Sequence, residues 1–331
     1  MRRGLVLGKF APLHRGHQSL IESSLAATDE TYVLVYDSPE VTRISLETRA
    51  GWVRQLYPAA HVIEGHGSPS GSGHDPEVMK LQEDYIRSVL PAPITHFFSS
   101  EWYGDHVSRA LGAKDVRVDP GRQTIPVSGT VLRQDPFPHR QHLSPIVYRD
   151  LVRWVVLVGA ESTGKTTLGE HLAREFSSVW LTEYGRVYWE QHHASDGSLT
   201  PSQLVELARG HRQREEEAVQ NAHRVFFVDT DARTTQQYAR WYHGGRGLPE
   251  LEQMADEATQ RYHLTVLCGD DIPYHEDGTR AGVHRRSEAQ DEIRRELAAG
   301  FAPWIEVRGT IGERIAAIRD ELVSRRLLEW Y

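Results

Sequence analysis

Cysteine is almost missing from this sequence: Cys268 is the single one. A lone thiol excludes an internal disulfide and any zinc cage built on cysteine, so nothing marks an oxidising compartment. Cys268 closes the apolar run Leu264–Cys268, where a buried structural thiol fits better than a nucleophile. Basic charge is also short, with 38 Lys and Arg against 46 Asp and Glu and a net charge of −8. That balance argues against sequence-blind binding to nucleic acid or to anionic membranes, both of which need a basic surface. Long apolar runs are lacking as well. Few apolar residues precede Lys9, too few for a signal peptide, and no later stretch is apolar enough to span a bilayer. The expectation is a cytoplasmic protein with no nucleic-acid partner and no membrane insertion; a homo-oligomer stays open.

What is present suits a soluble chain with real cores: 39% hydrophobic and 25% charged residues over 331 positions, a length that suggests about two domains. Two segments, Gly4–Leu25 and Trp154–Phe176, each run from a short β-forming stretch through a glycine turn into a helical pattern. Doubly wound α/β domains begin this way. Further strand-like runs follow at residues 32–36, 61–64, 96–99 and 115–119, and again at 179–181, 224–228, 264–267 and 304–307. The pattern predicts an α/β protein of two doubly wound parallel-sheet domains, one Rossmann-like and one of the P-loop kind. Pro136, Pro138 and Pro145 interrupt a polar stretch between Asp135 and Arg153, placing the boundary there, with domains at residues 1–145 and 146–331. The Gly/Ser/Pro-rich segment from Glu64 to Pro76 reads equally as an irregular surface insertion or as a mobile loop beside a substrate site.

The second domain carries Gly159-Ala-Glu161-Ser162-Thr163-Gly164-Lys165-Thr166-Thr167, which matches the P-loop pattern with a strand before it and a helix after it. Its glycines let successive N–H groups face phosphate oxygens, and the helix adds its positive end. Lys165 can bridge the β- and γ-phosphates of ATP, and the Thr166 hydroxyl can ligate Mg²⁺. Asp229 ends an apolar strand, as the carboxylate supporting that magnesium should, and Asp231 could reach a substrate hydroxyl. Glu183, Tyr184 and Arg186 follow the second strand, where small P-loop kinases hold the phosphate acceptor. Asp277 to Arg280, with Arg285 and Arg286, reads as a lid carrying arginines over the transferring phosphate. In this order the set favours phosphoryl transfer to a small molecule, a chemistry of positioning and charge neutralisation.

In the first domain, Gly8, Lys9, Phe10, His14 and His17 follow the first strand. Histidines at i and i+3 by a helix start share a face and can donate to one polyphosphate, with Gly16 between them leaving room for a nucleotide. A metal reading lacks further ligands. Ser128, Thr130 and Arg133 supply a second set of donors near another helix start.

The pair of elements G-K-F-x-P-x-H-x-G-H and S-x-T-x-x-R resembles the nucleotidyltransferase superfamily, specifically nicotinamide-mononucleotide (NMN) adenylyltransferases. Together with the P-loop, Glu183-Tyr-Gly-Arg186, Gly210-His-Arg-Gln-Arg214, Asp229-Thr-Asp231 and Thr234-Thr-Gln236, it resembles the bifunctional NadR-type family, over nearly all of residues 4–325. That resemblance implies a transferase of NAD salvage. The C-terminal domain would phosphorylate nicotinamide riboside to NMN, and the N-terminal domain would join NMN to the AMP part of a second ATP, releasing pyrophosphate. His14, His17 and Arg133 would stabilise the transferring and leaving phosphates, assisted by Lys9, with no general base because the NMN phosphate is already an anion. Tyr274 stands where the family places an aromatic over the nicotinamide ring, and the proton of the riboside hydroxyl goes to Glu183 or Asp231.

The sequence departs from the family twice. The first strand starts near residue 4, leaving no room for the DNA-binding helix-turn-helix of some members. The loop Gly65–Glu77 has no aromatic, so the ring in the first domain falls to Trp102 or Tyr103, or else that activity is weak or altered in specificity. Two other readings keep the residues but change the role: a different nucleoside kinase fused to a different adenylyltransferase, or a sensor of NAD and ATP levels. Intact Lys9, His14, His17, Lys165 and Thr166 weigh against a sensor that has lost catalysis.

Overall fold

The computed structural model describes residues 1–69, 75–101, 104–192, 198–244, 248–274, 283–300 and 302–330, leaving aside the side chains of 283–285. It divides into two compact units, residues 1–148 with Trp330, and residues 149–329.

The first unit is a five-stranded parallel sheet of β1 (Arg3–Gly8), β2 (Glu30–Tyr36), β3 (His61–Gly65), β4 (His96–Ser99) and β5 (Lys114–Arg117), in the order β3-β2-β1-β4-β5. The central strand β1 is apolar throughout its middle because both its faces are covered, with Leu5 and Leu7 packing against Leu34, Phe97, Ile86 and Val107. Chain order reverses between β1 and β4, which opens a crevice at their carboxyl ends. The helix Arg15–Ala27 leaves β1 into this crevice. β5 ends two residues before the predicted limit because Asp119 turns the chain at φ 45° and its carboxylate accepts the N–H groups of Gln123, Thr124 and Ile125.

The second unit repeats the plan with β6 (Arg153–Val158), β7 (Trp180–Leu181), β8 (Val225–Asp229), β9 (Leu264–Cys268) and β10 (Trp304–Val307), all parallel in the order β10-β9-β6-β8-β7. Val155, Leu157, Phe227 and Val266 pack against Leu168, Ile318 and Leu322 of the covering helices. Its reversal lies between β6 and β8, where the helix Lys165–Glu175 begins. The doubly wound α/β architecture is therefore present twice.

The proline-bearing stretch before β6 is not an open linker. It folds as a 3₁₀ turn, Phe137–His142, and a helix, Pro145–Leu151, and the two units divide inside that helix. Pro138 lies in the first turn of one and Pro145 starts the other, positions where a missing N–H costs nothing. Among the described residues no helix is long and apolar enough to cross a membrane.

Candidate active sites

A cavity of about 390 Å³ opens at the switch point of the first sheet, and Gly8, Lys9, Phe10, His14, His17, Ser128, Thr130 and Arg133 all line it. His14 caps its helix: Nδ1 accepts the Gly16 N–H at 3.1 Å, and His17 Nδ1 accepts the His14 N–H at 3.4 Å. The two imidazoles stack with centroids 3.8 Å apart, and Phe10, at φ 47°, packs edge-on to His17. Burial, reinforced by the charge of Arg122, holds His14 down at about 4; burial likewise holds His17 well below the usual range, with His14 beside it. Both rings are thus held neutral; the accepting Nδ1 of His14 leaves its proton to Nε2, while the His17 ring also hydrogen-bonds to the Pro12 carbonyl. Gly16 lines the cavity, and because a Cβ there would lie 3.0 Å from the His14 ring, the missing side chain makes room for the imidazole as well. Arg133 donates to Ala11 O at 2.9 Å and to Thr130 Oγ1 at 3.1 Å, Ser128 caps its helix by accepting the Val131 N–H, and Lys9 pairs with Glu40.

The second unit holds a cavity of about 460 Å³ lined by Gly159, Glu161, Ser162, Thr163, Gly164, Lys165, Thr166, Thr167, Glu183, Arg186 and Asp231, with Trp189, His211, Tyr238 and Tyr242 on its walls. Gly159 at φ 143° and Gly164 at φ 81° make the loop possible; a Cβ on Gly159 would meet Cys268 O at 2.8 Å. Lys165 Nζ donates to Gly159 O and Ala160 O, lying along the loop. Thr166 Oγ1 donates to Asp229 Oδ2 at 2.8 Å, while Asp229 Oδ1 is buried with no hydrogen-bond partner among the described residues. Burial pushes the Asp229 carboxyl up, and burial next to Asp229 raises Glu183 too. A hydroxyl and an orphaned carboxylate oxygen beside a phosphate loop fit Mg²⁺, a hard cation that takes few protein ligands and shares phosphate oxygens. No cluster of three acidic, His or Cys ligands exists among the described residues.

Two expected contacts lie off this lining. Tyr184 does not line the cavity; its ring packs on Gly210, where a Cβ would stand 2.7 Å from Cε1, and under the Arg214 guanidinium at 4.0 Å. Tyr274 also lies off the lining, with the Arg286 guanidinium 5.8 Å from its ring centre. Arg286 itself donates to Ser162 O and Ile272 O, bracing the loop's backbone. Asp231 has both carboxylate oxygens engaged by Arg233, through its N–H and its guanidinium. Arg280, Trp102, Tyr103 and the Arg285 side chain lie outside the described residues.

Sequence reasoning missed the residues behind the phosphate loops. Arg49, 1% exposed, donates from Nη1 to Lys9 O and Tyr36 O, both at 2.6 Å, and from Nε to Ile44 O. Arg314, also 1% exposed, donates to Thr163 O, Gly269 O, Gly309 O and Asp271. Gln290 accepts the Ala160 N–H and donates to Cys268 O. Only the fold brings them to the loop, 151 residues separating Arg314 from Thr163.

Two switch-point cavities, one around a P-loop and one around a histidine-capped turn, define a two-domain α/β transferase. A family model described as an AAA domain matches residues 154–314. The Trifunctional NAD biosynthesis/regulator protein NadR of Escherichia coli (strain K12) is 30% identical over 295 residues, 84% of this chain and 71% of that protein. The chain belongs to the NadR family. In fold it matches a NadR crystal structure in complex with NAD and AMP-PNP (TM-score 0.56, 22% identity, 96% of this chain and 95% of that one). A second NadR structure, in complex with NR, gives a TM-score of 0.57 at 23% identity over 98% and 95% of the two chains.

Proposed function

We propose that this chain carries out two successive steps of NAD salvage with ATP. The C-terminal unit phosphorylates the 5′-hydroxyl of nicotinamide riboside, and the N-terminal unit adenylylates the resulting NMN, releasing NAD and pyrophosphate. The observation that carries this reading is the stacked, buried histidine pair lining one cavity and the Lys165–Thr166–Asp229 set in the other.

In the first cavity the NMN phosphate attacks the α-phosphate of ATP. The ring N–H groups of His14 and His17, with Arg133, donate to the oxygens where charge gathers, and Lys9 turns toward the leaving pyrophosphate. In the second, Lys165 and the loop N–H groups hold the β- and γ-phosphates, while Thr166 and Asp229 are the residues that would hold Mg²⁺, whose charge would offset that of the phosphates. Glu183 takes the hydroxyl proton, since its raised carboxyl suits a base and the oxygens of Asp231 are already engaged by Arg233. Trp189 and Tyr238 supply the aromatic walls for the nicotinamide ring.

The test is to incubate the purified chain with Mg-ATP and either nicotinamide riboside or NMN and to resolve the products chromatographically. NMN followed by NAD from the first, and NAD from the second, is the expected result. Failure to convert NMN overturns the N-terminal assignment, and failure to consume the riboside overturns the C-terminal one.

A further inference from the structure

Helix Pro201–Ala218 buries Leu204, Leu207, Ala208, His211 and Glu215 along one face. Leucine and alanine there pack the cores of neighbouring helices. His211 and Glu215 need another reason to be inside. Glu215 is 1% exposed and firmly held: the Tyr262 hydroxyl donates to Oε1 at 2.5 Å and Arg261 Nε to Oε2 at 2.6 Å, with Arg261 itself stacked over Trp154. His211, 6% exposed, turns Nε2 toward Glu215 Oε1 at 3.6 Å, and that nitrogen is buried without a hydrogen-bond partner among the described residues. The same residue lines the second cavity alongside Glu183, Trp189 and Leu207.

We propose that His211 is a further substrate-contacting residue in the acceptor half of this cavity, with Glu215 behind its ring and Nδ1 presented to a hydroxyl of a sugar-like acceptor. A proton on Nε2, the nitrogen that faces the Glu215 carboxylate, leaves Nδ1 as an acceptor. A vicinal hydroxyl donates to it without losing its proton, so His211 positions the acceptor while Glu183 takes the proton from the reacting oxygen. Arg261 and Tyr262 fix Glu215, whose carboxylate stands 3.6 Å behind the ring. This inference rests on the kinase reading of the cavity.

The two ring nitrogens can be imitated one at a time, because an Asn amide reaches the Nδ1 position and a Gln amide the Nε2 position. In the full-length chain, His211→Gln and His211→Leu should raise the KM for nicotinamide riboside about tenfold or more, the worth of one good hydrogen bond. His211→Asn should restore it to within about threefold. The KM for ATP and the conversion of NMN to NAD should not move. With a deoxyribosyl acceptor lacking the contacted hydroxyl, wild type and His211→Gln should behave alike. If His211 merely partnered Glu215 inside the fold, the order would reverse, Gln keeping function and Asn losing it, or both activities would fall together; either result overturns the proposal. Wild-type protein that leaves the riboside untouched overturns the kinase reading and this inference with it. A working kinase indifferent to all three substitutions overturns this inference alone.

Discussion

Both cavities stand at the carboxyl edge of a central parallel strand, and on the proposed reading each would grip a polyphosphate with an opposite kind of donor. The first uses imidazoles that burial keeps uncharged and that backbone hydrogen bonds hold in place. The second uses a lysine and a hydroxyl–carboxylate pair fit for a metal. Neutral donors lose little solvation on burial and gain where charge develops; charged ones bind strongly but must be neutralised by neighbours. Behind both turns stands the same device, a buried arginine gathering carbonyl oxygens: Arg49 under the first and Arg314 under the second. What differs between the units is the hand that holds phosphate; what they share is the wrist.

The contrast breaks most clearly at Lys165. Lys165→Ala should cut riboside phosphorylation on the order of 10² to 10³ and leave NMN adenylylation intact. Loss of both activities in folded protein would mean the sites are not separate. His17→Ala should lower adenylylation turnover on the order of 10², with a smaller change in NMN affinity and unchanged kinase turnover. A drop in melting temperature with equal loss of both activities would instead make the pair structural.

The shared wrist is tested by Arg49→Met and Arg314→Met. Each leaves buried carbonyls without a donor, and each should cost about 2 kcal/mol of stability in denaturant unfolding. Either one proving neutral would end the parallel.

The smallest effect concerns pH, where the units should run in opposite directions. The folded state lowers His14 from an ordinary 6.5 to about 4, so its unfolded chain binds more protons between those values and the first unit loses stability on acidification through that window. The folded state raises Asp229 and Glu183, so the second unit is favoured by acid and pays for ionisation as pH climbs through their raised values. Asp229→Asn should therefore raise the melting temperature at neutral pH, roughly 2–4 °C if about 1 kcal/mol is relieved, while abolishing phosphorylation. That gain should shrink as pH is lowered. A melting temperature that falls at neutral pH would contradict the burial argument.

The fold was largely legible because the central strands are short apolar runs and each first strand meets a glycine turn. The stretch around Pro136 to Pro145 was not, since prolines that break a helix interior also start helices well. Local spacing announced the P-loop and the two histidines. It misled at Tyr184, whose neighbours in sequence face the cavity while its own ring packs on Gly210. Arg49, Gln290 and Arg314 were invisible for a different reason: one arginine or glutamine in a helix looks like any surface residue until a distant loop closes over it.

Dissolved salt weakens attraction between exposed charges and reaches sealed ones much less. Lys9, 36% exposed and paired with Glu40, belongs to the first kind, and its pull on a nucleotide fades as ionic strength rises. Arg49 and Arg314 belong to the second. Arg49 sets a fixed positive background beneath its turn that counter-ions cannot enter to dilute, whereas Arg314 shares its charge with Asp271; on the proposed reading, part of the first unit's pull on phosphate is built in at folding and persists in concentrated electrolyte.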